Sequence, residues 1–581
     1  MKRFLVASFL VGTQFLTSGC SAVLSKDAAP IPQSANTQIR KVDAQGLSDV
    51  RPEVRRQANL LYHILVGEFA GYRGHLDVAV KQYLQAAAIS DDPDVAQRAT
   101  QIALYARDYP GAMVAAQRWA VLAPESLDAC RTLAVLDLRQ DKLAPAAAQL
   151  DRLIGLVQGD AERGFYLVSR LLAQEHDEKR TLTVMAMLVQ RHKSDPYAWY
   201  AYAHLAAEAD DQKLALANVD KALSLKPDWP DASLLKARIL MQQGKSDEAV
   251  AAMRAAIKAH PDSRALRISF GRLLAEAKQF AQARQQFEYL LRKNPKDAEL
   301  LYAISLLAIE DKHYDAAEHY LKRLLKTGQR TPDAYYYLGA IAEERHQYNR
   351  AITWYRKVRS GDRRVDAHIR VSMLVAKQHG VAKGRKELHK MQPPNSDAAV
   401  RFYVAEADML RHAGRYKEAV GVVNNGLAQM PGNNDLLYTR ALLEEKLDRL
   451  DLLEKDLKQI LATDPDNAQA LNALGYTLAD RTKRYKEALA YIQKALALSP
   501  DEPAILDSMG WVQYRLGNIA ASLDYLRRAY KLDQDSEIAA HLGEVLWVSG
   551  DRDAARNLLE RAVKRDPKSK TLQQLIQRFK L

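Results

Sequence analysis

The chain has 581 residues, 48% of them apolar and 27% charged, with only 26 Gly and 20 Pro. This balance excludes a disordered chain, and the scarcity of turn formers disfavours an all-β protein and favours helices. Lys and Arg number 84 against 71 Asp and Glu, a net +13 that suits an acidic or anionic partner, and two cysteines can build neither a disulfide framework nor a four-cysteine zinc site.

In chain order, Lys2 and Arg3 form a positive start and Phe4 to Leu16 a short apolar run. No apolar run reaches the roughly 20 residues of a membrane-spanning helix. Leu16-Thr17-Ser18-Gly19-Cys20 resembles the lipobox of bacterial lipoproteins, although Thr17 departs from the commoner Leu. The resemblance implies a signal peptide over 1–19 and acyl chains on Cys20. Two or more acyl chains anchor a protein stably. Ser21, rather than Asp, implies the outer membrane and a chain facing the periplasm, where nucleic acid is not a natural partner. Residues 20–56, with Pro30, Pro32 and Ser34 and no clear periodicity, read as a lipidated flexible linker.

Beyond the linker, a period of 34 appears. Ala215, Ala249, Ala283, Ala317 and Ala351 are 34 apart, and Pro227, Pro261 and Pro295 follow the first three by twelve. Gly271, Gly339, Gly475 and Gly543 differ by multiples of 34. This is the tetratricopeptide repeat pattern. It predicts an all-α solenoid of antiparallel helix pairs, coiled as a right-handed superhelix with a concave groove. Small residues let the two helices of a unit approach, and Pro separates one unit from the next. Residues 57–210 read as irregular repeats, with two units filling the interval between Pro124 and Pro196. Residues 211–567 read as the regular array, degenerate between 360 and 400, and 568–581 as a capping helix. The count predicts 13 to 15 pairs.

Chemistry-bearing motifs are scarce. No zinc-protease or nucleophile-elbow motif occurs. Gly244-Lys245-Ser246 reads as a turn between helices, because Ile239 stands where a phosphate loop needs Gly. His541 and Glu544, three apart, do not make a metal site, and they read as groove or surface positions. Cys130 reads as a small core filler. No catalytic residue, metal or cofactor is expected.

Two sets of residues could carry binding. Arg356, Lys357, Arg359, Arg363, Arg364, Arg370, Lys383, Arg385 and Lys386 lie in a stretch, 350–390, with twelve cations against three carboxylates. It reads either as a docking patch for an acidic partner or anionic envelope polymer, or as a solvated outer face of helices. The second set comes from the groove-facing positions of the repeat family: Tyr336, Asn472, Tyr476, Asp507, Trp511, Tyr514, Arg515, Glu544 and Trp547. Aromatics beside charges there suit recognition of peptide segments; alternatively, the two Trp pack between helices. Asn472 alone does not reproduce the carboxylate clamp of cochaperones.

The segments Ala470–Arg481, Asp507–Gly517 and Ala540–Trp547, with the lipobox and the repeat span, resemble the large tetratricopeptide lipoproteins of the Gram-negative outer membrane. That resemblance implies a non-enzymatic adaptor. Such a lipoprotein binds a periplasmic carboxyl-terminal-processing serine protease and promotes degradation of peptidoglycan hydrolases. An assembly factor for a secretin, pilus or polysaccharide-export system is the alternative. An enzyme would need a catalytic domain, for which residues 57–581 leave almost no room.

Overall fold

The computed structural model describes residues 51–157 and 160–580. The signal segment, Cys20 and the linker up to residue 50 lie outside the described residues. Two compact units are present, one ending at Tyr320 and the other starting at Leu321. The described residues are helical throughout, without strands.

In the first unit, helices pair as α1 (Pro52–Tyr72) with α2 (Leu76–Ile89), α3 (Pro93–Tyr105) with α4 (Tyr109–Leu122) and α5 (Leu127–Arg139) with α6 (Leu143–Leu156). Next come α7 (Ala161–Ala173) and α8 (Glu178–Arg191), α9 (Pro196–Glu208) and α10 (Gln212–Leu225), and α11 (Pro230–Gln242) and α12 (Ser246–Ala259). α13 (Arg264–Glu276) and α14 (Phe280–Lys293) precede α15 (Ala298–Glu310) and α16 (Tyr314–Thr327), the last of which runs past Tyr320.

The second unit continues with α17 (Thr331–Glu344) and α18 (Tyr348–Tyr355), α19 (Arg363–His379) and α20 (Val381–Leu388), and α21 (Ser396–His412) and α22 (Tyr416–Gln429). α23 (Asn434–Lys446) and α24 (Leu450–Thr463), α25 (Ala468–Arg481) and α26 (Tyr485–Leu498), α27 (Pro503–Arg515) and α28 (Ile519–Leu532), and α29 (Ser536–Val548) and α30 (Arg552–Arg565) follow. α31 (Lys570–Phe579) closes the described chain. Among the described residues these are 15 pairs and one closing helix, and two pairs fill the span from Pro124 to Pro196.

The period of 34 has a local origin. A typical first helix has 13 residues and a typical second helix 14, and turns of three and four residues join them. Side chains that bond the backbone start many first helices, among them Asp92, Ser126, Asp195, Ser263, Asp297, Asn433, Asn467 and Asp535. Each satisfies a backbone N–H that the helix itself leaves unbonded. The three-residue turn passes through a left-handed residue, filled by Gly244, Gly414, Gly517 and Gly550 or by a polar residue such as Asp210 or Asp448. Gly244 thus lies in a turn between helices, as its sequence context predicts.

Within each compact unit a first helix packs on its second helix and, through it, on the following repeat. One such core joins Leu437, Leu457, Leu474, Ile492, Ile505 and Met509. The glycine of a first helix meets the second helix at a recurring position: Gly271 faces Phe287, Gly339 faces Tyr355, Gly510 faces Leu526 and Gly543 faces Leu559. α25 has one residue more than the typical first helix, so Gly475 meets Ile492, one place further along.

One boundary moves. α1 begins at Pro52, inside the stretch 20–56 expected to be linker. Pro52 occupies the first turn, where its fixed φ suits a helix and its missing N–H costs nothing, and Glu53 favours the positive end of the helix dipole.

Candidate protein-interaction surfaces

Residues of α25, α27 and α29 gather the sequence-predicted groove set in the second unit. Asp507 and His541 occupy equivalent positions one repeat apart, so the fold brings them side by side. His541 Nδ1 lies 2.8 Å from Asp507 Oδ2 and 3.0 Å from Oδ1, and both residues are buried. The Trp511 ring stacks on the imidazole at 4.2 Å. Trp511 Nε1 donates to Asp480 Oδ1 at 3.2 Å, and the Tyr476 hydroxyl donates to Glu537 Oε1 at 3.0 Å. Burial opposes a charged imidazole, but the Asp507 carboxylate and its hydrogen bond prevail, and His541 titrates above its ordinary value. Burial first, and then the carboxylates of Glu537, Asp480 and Asp507, push the Tyr476 phenol up.

This geometry corrects part of the expected surface. Asp507 and Trp511 are buried between repeats rather than open to a partner, and His541 is neither a groove nor a surface residue. Trp547 is covered by the closing helix: the Phe579 ring stacks on it at 4.6 Å, nearly parallel. Glu544 is ion-paired to Arg578 at 2.7 Å and accepts from the Tyr514 hydroxyl at 3.5 Å. Arg515 donates to the Asp480 carbonyl and to the Tyr485 hydroxyl. Asn472 is half-buried, and its Oδ1 has no hydrogen-bond donor. Tyr336, on α17, packs against Tyr355 and lies under the Arg363 guanidinium. The set is therefore largely a lattice of contacts that sets one repeat against the next.

The basic stretch divides in two. Arg370 is half-buried in a pair with Glu343. Arg385 Nε lies 2.6 Å from the buried Glu406, Arg356 Nη2 lies 3.0 Å from Glu387, and Arg363 donates to the Tyr337 hydroxyl at 3.1 Å. Arg363, Arg370 and Arg385 are half-buried and join helices across the degenerate repeats, while Arg356 is tethered by Glu387 but remains exposed. Lys357 lies 4.2 Å above the Trp354 ring, while Arg359, Arg364, Lys383 and Lys386 are exposed.

A surface that the sequence reading missed lies on α1. Val54, Leu61, Tyr62, Leu65, Phe69 and Tyr72 are exposed, with Leu61 at 58%, Phe69 at 65% and Tyr72 at 93%. They follow one another along one side of the helix at helical spacing. The other side packs on α2, where Gly67 lets Tyr83 approach. The signal was present as Leu61, Leu65, Phe69 and Tyr72. An apolar stripe read from sequence is taken as core, and only the fold shows which stripe has no helix beside it among the described residues.

Cys130 is a buried free thiol, and burial pushes its pKa up. Among the described residues, no group of His, Cys, Asp and Glu has the geometry to hold a metal, and no helix is long and apolar enough to cross a membrane.

Tetratricopeptide-repeat family models match residues 234–298, 438–503 and 508–570, and a second such model matches 274–342. A TPR repeat-containing protein of Pseudomonas aeruginosa is 45% identical over 195 residues, which cover 34% of this chain and 33% of that protein. The chain thus spans about a third of the length of this curated relative. Among solved structures, yeast Tom70 is 15% identical with a TM-score of 0.34, covering 72% of this chain and 94% of that one. A chain of the APC/C hetero-tetramer Cut9–Hcn1 is 14% identical with a TM-score of 0.33, covering 91% and 98%. The recurring helix pairs and the family matches give this chain a tetratricopeptide-repeat fold, with residues 234–342, 438–503 and 508–570 matched as such repeats.

Proposed function

We propose that this chain is a non-enzymatic scaffold. A lipid on Cys20 holds it to the outer membrane, facing the periplasm. It binds a carboxyl-terminal-processing serine protease and brings cell-wall hydrolases to it. Catalysis belongs to the protease, and the scaffold supplies proximity, raising the effective concentration of substrate at the active site.

The observation that carries the binding reading is the exposed apolar side of α1. Tyr62, Phe69 and Tyr72 expose 59%, 65% and 93% of their surface there, a contiguous aromatic patch of the kind that often serves binding. The protease reading rests on the resemblance of 470–481, 507–517 and 540–547 to lipoprotein adaptors.

The test is retention of envelope proteins on the immobilised chain, identified by mass spectrometry. A processing protease together with a wall hydrolase is the expected result, and Leu61→Glu with Phe69→Glu should release the protease. A strain lacking the chain that still degrades its wall hydrolases at the normal rate would sink the adaptor role. Labelling with an alkyne fatty acid should mark the wild type and not Cys20→Ser.

A further inference from the structure

Two neighbouring second helices are short. α18 and α20 have eight residues each, where α22, α24, α26 and α28 have 14. Between these two short helices and the end of α19 lies a cavity of about 420 Å³. Arg356 lines it from the end of α18, and Lys383, Lys386 and Lys390 line it from α20 and the residues just after it. Spaced by three and four, the lysines share one face of that helix.

Among the described residues a single carboxylate, Glu387, faces these four cations in the cavity wall, and it is already engaged. It accepts from Arg356 Nη2 at 3.0 Å and from Lys390 Nζ at 2.5 Å. Burial would raise its pKa, yet these two cations hold it below the usual carboxylate range. Lys383 and Lys386 pair with no carboxylate among the described residues, and Glu387 can offset only one of the four cations, so the cavity wall carries a net positive charge of three.

We propose that this cavity is a binding site for a phosphate monoester. Such a group carries about −1.5 to −2 charges near neutral pH and offsets more of this excess than a single carboxylate would. Glu387 holds the Arg356 guanidinium at the rim, where its planar fork can share a second oxygen pair with the phosphate, and the lysines act as point charges. The volume lies at the small end of the range for ligand pockets, about 300–1,000 Å³, and fits a phosphorylated polyol. The same chemistry comes from a soluble sugar or glycerol phosphate and from a monoester lipid headgroup.

Two arms separate these sources, both with the full chain carrying Cys20→Ser so that no lipid anchor contributes. Glycerol 3-phosphate is titrated by calorimetry, and phosphatidylcholine vesicles doped with phosphatidic acid are tested by co-sedimentation. Saturable binding in either arm should weaken at least tenfold in Lys383→Gln/Lys386→Gln. It should change less than twofold in Arg359→Gln/Arg364→Gln, which removes the same charge outside the cavity. Binding in the first arm assigns a soluble ester, and binding in the second alone assigns a headgroup. Equal losses in the two double variants, or no binding in either arm, would overturn the proposal.

Discussion

Replacing Gly510 by Ala tests whether the small residue of a first helix is required by close approach of the second. A Cβ at Gly510 would lie 2.5 Å from Leu526 Cγ and 3.2 Å from Leu526 N. Carbons in good contact are about 3.5–4.0 Å apart, so α27 and α28 must separate by roughly 1 Å. Leu526 is fully buried and its Cγ cannot swing aside as a chain end could. Such overpacking costs about 1–3 kcal/mol, against about 0.5–1 kcal/mol that Ala gains over Gly in a helix interior. The net is a loss of up to about 2.5 kcal/mol, centred near 1 kcal/mol. Gly421, in α22, supplies the control: a Cβ there meets nothing within 4 Å, so Gly421→Ala should gain about 0.5–1 kcal/mol. Repeat arrays open in parts, so native-state hydrogen exchange is the assay, read at the amides of α27 and α28 for one variant and of α22 for the other. If Gly510→Ala raised protection as Gly421→Ala does, the close-approach argument would be wrong.

Other consequences follow from single contacts. His541 binds its proton more tightly in the folded chain than in the unfolded one. Its pair with Asp507 therefore contributes in full below the unfolded histidine pKa of about 6.5 and is lost as pH rises through the higher folded value. Between pH 6 and 9 the wild type should lose protection in α27 and α29 relative to His541→Gln; a relative gain would refute the assignment. Asp456 is buried and accepts from Arg440 at 2.7 and 2.8 Å, so Asp456→Ala strands a half-buried guanidinium and should cost about 3 kcal/mol. Arg440→Met/Asp456→Leu should recover most of that in urea denaturation. Phe579→Ala removes the ring stacked on Trp547 and should cost about 1–2 kcal/mol while making that indole more accessible to acrylamide.

The repeat was legible in the sequence because its causes are local. Helix lengths, capping residues and turns add to the same repeat length in unit after unit, so equivalent side chains recur at fixed spacing. The degenerate stretch 360–400 was legible for the same reason: Gly380, at φ 91°, stops α19 and starts the short α20.

What spacing could not determine was exposure. Position within a repeat says which way a side chain leaves its helix, but not what the neighbouring unit places there. Trp511 leaves α27 as a groove residue would, and His541, on the first helix of the next unit, closes over it. Beside Trp547, Phe579 of the single helix that follows among the described residues takes that place. The cations at 356, 370 and 385 add up to a basic patch on paper, and the fold sets Glu387, Glu343 and Glu406 against them. The apolar side of α1 follows the same rule in reverse: its residues have the pattern of a core stripe, and only the arrangement of the described helices leaves that stripe exposed. Periodicity by itself determined the helix pairs and the small residues between them, because these depend on neighbours in the chain. The tertiary structure decided which surfaces and charges remain open, because that depends on side chains that repeats away in sequence bring alongside.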